Sequence, residues 1–112
     1  MADKIRVLVI EPKKVPRVEF IENELKAMQS IVGGHLEVVR PPRHRDDDVV
    51  AICNEEGKLR GLEPCRAMRL ENGVVWDILV GPLIILRAPA FAEEFEGLTD
   101  EQVEKWMSLV EF

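Results

Sequence analysis

Ile5-Arg6-Val7-Leu8-Val9-Ile10 is rich in β-branched residues and almost unbroken in apolar ones. Such a run predicts a central strand buried on both faces, since a strand with one wet face alternates apolar and polar residues instead. Glu11-Pro12-Lys13-Lys14 then makes a turn. From Pro16 to Ile21, Val18 and Phe20 alternate with Arg17 and Glu19, which predicts a second strand returning as a hairpin. At Phe20-Ile21 the period changes. Leu25, Met28 and Val32, with Ile31 beside them, mark one face of a helix of about ten residues. Asn23 stands where an N-cap belongs, and Gly33-Gly34 supplies a left-handed stop.

Further along, His35 to Arg40 reads as a third strand, ended by Pro41-Pro42. Arg43-His44-Arg45-Asp46-Asp47-Asp48 reads as a solvated loop whose charges largely cancel. Val49 to Asn54 is a fourth strand, and Asn54-Glu55-Glu56-Gly57 a tight turn in which Gly57 can take a positive φ. Lys58 to Leu62 reads as a short returning strand, and Glu63 to Met68 as an irregular stretch or brief helical turn opened by Pro64. Glu71-Asn72-Gly73 is a hairpin signal between Met68–Leu70 and Val74–Trp76. Trp76 to Val80 continues as a strand, Gly81-Pro82 breaks it, and Leu83 to Leu86 is another buried run.

Ala88 to Glu96 reads as a loop pinning Phe91 and Phe95 to the core, and Thr99-Asp100-Glu101-Gln102 as a capping box. It opens a helix with Val103, Trp106 and Val110 on one face and Met107 beside them. The pattern predicts a single α+β domain over residues 1–112: one mostly antiparallel sheet with two helices packed on one face. No Gly-rich loop follows the first strand, which argues against a dinucleotide-binding βαβ fold.

A chain of 112 residues buries a real core without staples, hiding roughly two-thirds of its unfolded surface. With no Tyr, two Trp and four Phe, that core must rest on Val, Ile and Leu. The net charge of −6 argues against nucleic acid, whose phosphates need a Lys/Arg surplus. Cys53 and Cys65 lie outside metal or redox spacings; Cys53 reads as a buried strand residue and Cys65 as a loop residue. Two free thiols are expected, in a reducing, cytoplasmic setting. Met1-Ala2-Asp3-Lys4 runs almost directly into the first strand, without a signal-peptide pattern, and no apolar run reaches membrane-spanning length.

Polar chemistry concentrates between Ile52 and Arg69, where an amide, carboxylates, cations, glycines and both cysteines crowd together. Asn54, Glu55 and Glu56 sit at a strand end, either as a polar rim for a ligand or as plain turn residues. Lys58, Arg60, Arg66 and Arg69 form a local basic group that could hold an anion through paired hydrogen bonds, or simply pair with neighbouring glutamates. Asp77 interrupts an apolar strand on the face opposite Trp76 and Ile78, and if buried needs a partner, with Arg66 or Arg69 the natural candidates. Neither His35 nor His44 has neighbours spaced for a triad or a metal site, and no cofactor motif occurs.

Several segments together resemble a known family. They are Val-Ile-Glu-Pro closing the first strand, Val32-Gly33-Gly34 opening onto His-Leu-Glu-Val-Val, Ile-Cys-Asn-Glu-Glu-Gly-Lys-Leu, Cys-Arg-Ala-Met, and Trp-Asp-Ile-Leu-Val-Gly-Pro before a late Leu-Thr-Asp-Glu-Gln. The chain resembles the domain of unknown function 3846, whose members are small proteins of phages and mobile elements, and whose pattern usually carries Asn where this chain has Cys65. The resemblance implies a cytosolic, often phage-borne setting and no reaction.

The reading that follows is a non-enzymatic binding protein. It either sequesters a small anionic, nucleotide-type ligand or blocks a host protein through a sheet edge, as a monomer or a homo-oligomer. In the first version Arg60, Arg66 and Arg69 contact the anion and Asn54 reads a base or ribose. The alternatives are a small enzyme acting on a nucleotide or peptide, with Asp77 or Glu55 as general base, and a purely structural module. The ligand readings require Asn54, Arg66 and Asp77 to meet in one recess.

Overall fold

A computed structural model describes residues 3–112; Met1 and Ala2, the start of the lead-in to the first strand, lie outside the described residues. The elements run β1 (Lys4–Ile10), β2 (Arg17–Glu22), α1 (Leu25–Val32), β3 (Leu36–Val39), a 3₁₀ turn at Pro42–His44, β4 (Val49–Asn54), β5 (Pro64–Arg69), β6 (Val75–Val80), β7 (Leu83–Arg87) and α2 (Asp100–Ser108). The fold is α+β and its strand pairs are antiparallel. The sheet is divided, however. Five strands form one sheet in the order β2-β1-β7-β4-β3, and β5 and β6 form a separate two-stranded ribbon.

The division has a local cause. Lys58 to Leu62 does not return as a strand. It coils into successive turns, with Arg60 N–H donating to the Glu56 carbonyl (3.0 Å) and Leu62 N–H to that of Gly57 (3.0 Å). Glu63 to Met68, expected to be irregular or a brief helical turn, is instead mostly strand, β5 beginning at Pro64 and running to Arg69. Register shifts between Pro64 and Arg66 and between Met68 and Arg69 break the two-residue period by which strands are recognised. Pro64 occupies the first strand position, where its missing N–H costs least.

The two helices do not share a face, contrary to the arrangement expected above. In register, Leu8, Ile85 and Ala51 form one transverse row, and Val9, Ile84 and Ile52 the next. Adjacent rows point to opposite sides. The first row joins a core with Trp106 of α2, Met68 and Leu79 of the ribbon, and Phe112. The second joins Met28 and Val32 of α1, with Phe95 packed alongside. Strands apolar on both faces have to be covered twice, so the sheet is sandwiched between α1 on one side and α2 with the ribbon on the other.

Local signals explain most of the element ends. Gly33 closes α1 at φ 85°, its N–H donating to the Gln29 carbonyl at 2.8 Å. At the other end Glu24 holds the cap position without a side-chain bond, and Asn23 instead donates from Nδ2 to the Phe95 carbonyl at 2.8 Å. The Thr99–Gln102 capping box of α2 is present in both directions. Val110 lies beyond α2 and is exposed, and Phe91 is not pinned to the core but fully exposed, at 104%.

The charge-dense loop is more than a solvated connection. Asp47 accepts from Trp106 Nε1 (2.9 Å), Gln102 Nε2 (2.7 Å) and Lys105 Nζ (3.1 Å), and His44 packs against Trp106 at a tilt of 56°, with ring centroids 4.8 Å apart. These contacts lash α2 to the segment between β3 and β4. No helix among the described residues is long and apolar enough to cross a membrane.

Candidate functional site

Asn54 ends β4, 4% exposed, the one buried polar or charged residue among those described. Its Nδ2 donates to the Val32 carbonyl at 3.2 Å, and its Oδ1 accepts from Glu56 N–H at 2.8 Å. The side chain therefore ties the last turn of α1 to the turn after β4. Gly34 permits this approach, because a Cβ there would stand 3.0 Å from Asn54 Nδ2. Gly57, expected to supply a positive φ, does not. It is required for space, since a Cβ would lie 2.8 Å from Val80 Cγ2.

Asp77 lies on the inward-facing side of β6, opposite Met68 in register and on the side of Leu79, as the alternation predicted. Its partner is neither Arg66 nor Arg69. Lys58, carried by the coil of turns after β4, reaches Asp77 Oδ1, which also accepts from Ile78 N–H at 2.7 Å. Arg69 is committed to Glu111 (2.9 Å) and the Gly73 carbonyl (2.6 Å). Arg66, at the bulge, donates from Nη1 to the Cys65 carbonyl at 2.9 Å and keeps a buried Nε without a partner among the described residues. Arg60 donates to the Gly33 carbonyl at 2.8 Å and so finishes the end of α1.

Asn54 and Asp77 do meet in one recess, of ≈ 220 Å³, lined also by Glu37, Glu55, Lys58 and Leu59. Arg60, Arg66 and Arg69 are not among its lining residues. Two of the three residues that the sequence reading required, Asn54 and Asp77 but not Arg66, thus converge, and the recess carries more negative charge than positive. Cys53 also lines it, donating weakly to Glu37 Oε1 at 3.6 Å. Burial, and then the Glu37 carboxylate, push the Cys53 thiol up to about 12. Cys65 is not in a loop but in β5, partly buried, and burial pushes it up to about 11. Neither thiol is poised as a nucleophile at neutral pH. Among the described residues no cluster of three or more His, Cys, Asp or Glu is arranged to hold a metal ion.

The most exposed chemistry near this recess is apolar. Trp76 (55% exposed) and Ile78 (42%) share the outer side of β6, Val74 (56%) is exposed just before the strand, and Leu59 projects from the neighbouring turn. The sequence showed that Trp76 and Ile78 share a side. It did not show that this side faces solvent, because ribbon packing through Met68 and Leu79 decides which side turns inward.

The family model for the domain of unknown function (DUF3846) matches residues 5–111. No curated protein and no solved structure matches the chain.

Proposed function

The chain belongs to the domain of unknown function 3846 family, and from that premise we propose that it is a non-enzymatic binding protein that docks a partner protein on the outer side of the β5–β6 ribbon. The observation that carries this reading is the exposed row formed by Trp76 and Ile78 on β6, with exposed Val74 just before the strand. Contiguous apolar side chains on a small domain mark contact surfaces, and Trp is enriched among the residues that dominate binding energy. The acidic recess beside the row, with Glu37, Glu55 and Asp77, supplies a polar rim. Its working place is the reducing cytoplasm, in keeping with two free thiols, and its effect is to block the partner it covers.

The anionic-ligand version has weaker support. Arg60, Arg66 and Arg69 each donate to carbonyls or a carboxylate of this chain and converge on no common recess. The general-base version would use Asp77 or Glu55, and Asp77 is already engaged by Lys58.

Paired capture tests the reading. Wild type and Trp76→Ser/Ile78→Ser are immobilised at equal density and exposed to the soluble fraction of the source cell. A protein retained by wild type and lost with the variant, then reconstituted from purified components, is expected. Identical retention on both surfaces, or sedimentation showing that the row serves only self-association, overturns it. A nucleotide that raises the melting temperature of wild type but not of Arg66→Gln would restore the anionic-ligand version.

A further inference from the structure

On the other side of the central sheet a groove of ≈ 300 Å³ runs between the first turn of α1 and the segment after β7. Met28, Leu36 and Phe95 line it with apolar surface, and Glu24, Glu93 and Glu94 line it with carboxylates. It is held open by ties to backbone. Asn23 Nδ2 donates to the Phe95 carbonyl at 2.8 Å, Arg40 Nη2 to the Ala88 carbonyl at 3.1 Å, and Arg87 and Glu96 exchange N–H···O bonds of 2.9 Å. Leu25, also lining it, is 59% exposed.

The carboxylates decide what this groove suits. Nine ion pairs occur among the described residues, and none includes Glu22, Glu24, Glu93 or Glu94. Glu22 and Glu24 stand close enough that the Glu22 carboxyl raises the Glu24 pKa above the ordinary carboxylate value, with Lys26 only partly offsetting it. Like charges left facing one another are relieved by an arriving cation. A second copy of this chain would bring the same acids against them, and an anionic lipid surface would be repelled.

We propose that the groove between α1 and residues 88–95 docks a short basic–apolar peptide segment of a partner protein. An apolar side chain sits on Met28, Leu36 and Phe95, and flanking Lys or Arg pairs with Glu24, Glu93 and Glu94. This site is independent of the ribbon surface and lies across the sheet from it.

The test titrates the protein with a short labelled peptide of alternating lysine and leucine, following anisotropy and backbone amide shifts at physiological ionic strength. Binding with shifts confined to α1, Leu36 and residues 88–95 is expected. Glu24→Gln/Glu93→Gln/Glu94→Gln should weaken it about tenfold or more. Glu71→Gln/Glu101→Gln/Glu104→Gln, the same charge change at exposed positions elsewhere, should leave it within about twofold. Leu25→Ser, an exposed change that spares the core, and a lysine–serine peptide should each weaken it. Trp76→Ser/Ile78→Ser should leave it unchanged, which keeps this result separate from the ribbon reading. Absence of binding, shifts scattered over the acidic surface, equal weakening by both glutamine triples, or self-association through the groove would each overturn the proposal.

Discussion

Asn54 uses both ends of its amide inside the protein, on the Val32 carbonyl and the Glu56 N–H. Removing it strands the buried Val32 carbonyl and leaves the part-buried Glu56 N–H without its partner, which costs about 1–3 kcal/mol. Asn54→Ala is therefore expected to lower the urea midpoint markedly, whereas Asp77→Asn, which breaks a pair exposed on both sides, should cost less than about 1 kcal/mol. Equal losses in the two variants would contradict this assignment of Asn54 to scaffold. The cysteines give a second residue-scale expectation. With thiols held up to about 12 and about 11, Cys53 and Cys65 should resist alkylation in the native protein at mildly alkaline pH, Cys65 reacting first as pH rises. Rapid native labelling of Cys53 would refute it. Phe91 is the odd residue of the chain, a bulky side chain held at φ 68° with no burial to compensate. Phe91→Gly relieves that left-handed strain and should raise the melting temperature slightly, the gain limited to about 1 kcal/mol by the entropy that glycine adds to the unfolded chain. A lower melting temperature would show that Phe91 makes a contact that its exposure denies.

Helix α2 is the element whose attachment is most sensitive to pH. Burial pushes Asp47 up, but hydrogen bonds from Trp106, Gln102 and Lys105 outweigh it and leave its pKa lowered. His44, against Trp106, is lowered by burial first and then by Lys105 and Arg43. A lowered histidine favours its neutral form in the folded state. Its contribution is present above the unfolded value of 6.5 and is lost as pH falls from there through the folded value. A lowered aspartate contributes above its unfolded value of 3.8 and loses that contribution as pH falls further. Stability should thus decline with acid in two stages, the upper one absent in His44→Phe and the lower one reduced in Asp47→Asn, where Glu11, lowered by Arg17 and Lys14, still contributes, read as urea midpoint against pH. A single stage unaffected by His44→Phe would refute the upper assignment. At the start of the same helix, Thr99→Ala removes half of the capping box and should cost about 1 kcal/mol.

At the scale of the whole molecule, the central sheet separates two surfaces, the apolar row of the ribbon and the acid-rimmed groove beside α1. Because different core layers support them, the ribbon and groove variants should behave additively in binding and in stability. The two tryptophans report on this separation. Trp76 is exposed and Trp106 fully buried, so a protein partner on the ribbon should shield Trp76 from acrylamide quenching while peptide in the groove should not. Shielding of Trp76 by groove peptide would mean that the two surfaces communicate.

The pattern of residues was enough, by itself, for the α+β class, the bounds of β4, the hairpin at Glu71–Gly73, the stop at Gly33 and the cap at Thr99. Each of these rests on near neighbours in the chain: strand alternation, a turn residue, a side chain reaching three positions on. Tertiary structure alone decided that the helices lie on opposite faces, that β5 and β6 leave the main sheet, that Asp77 takes Lys58, and that Trp76 faces out. Those outcomes depend on which of several possible surfaces is covered first and on which long side chain can reach a given carboxylate. Both are set by distances between segments remote in sequence, and no local period encodes them.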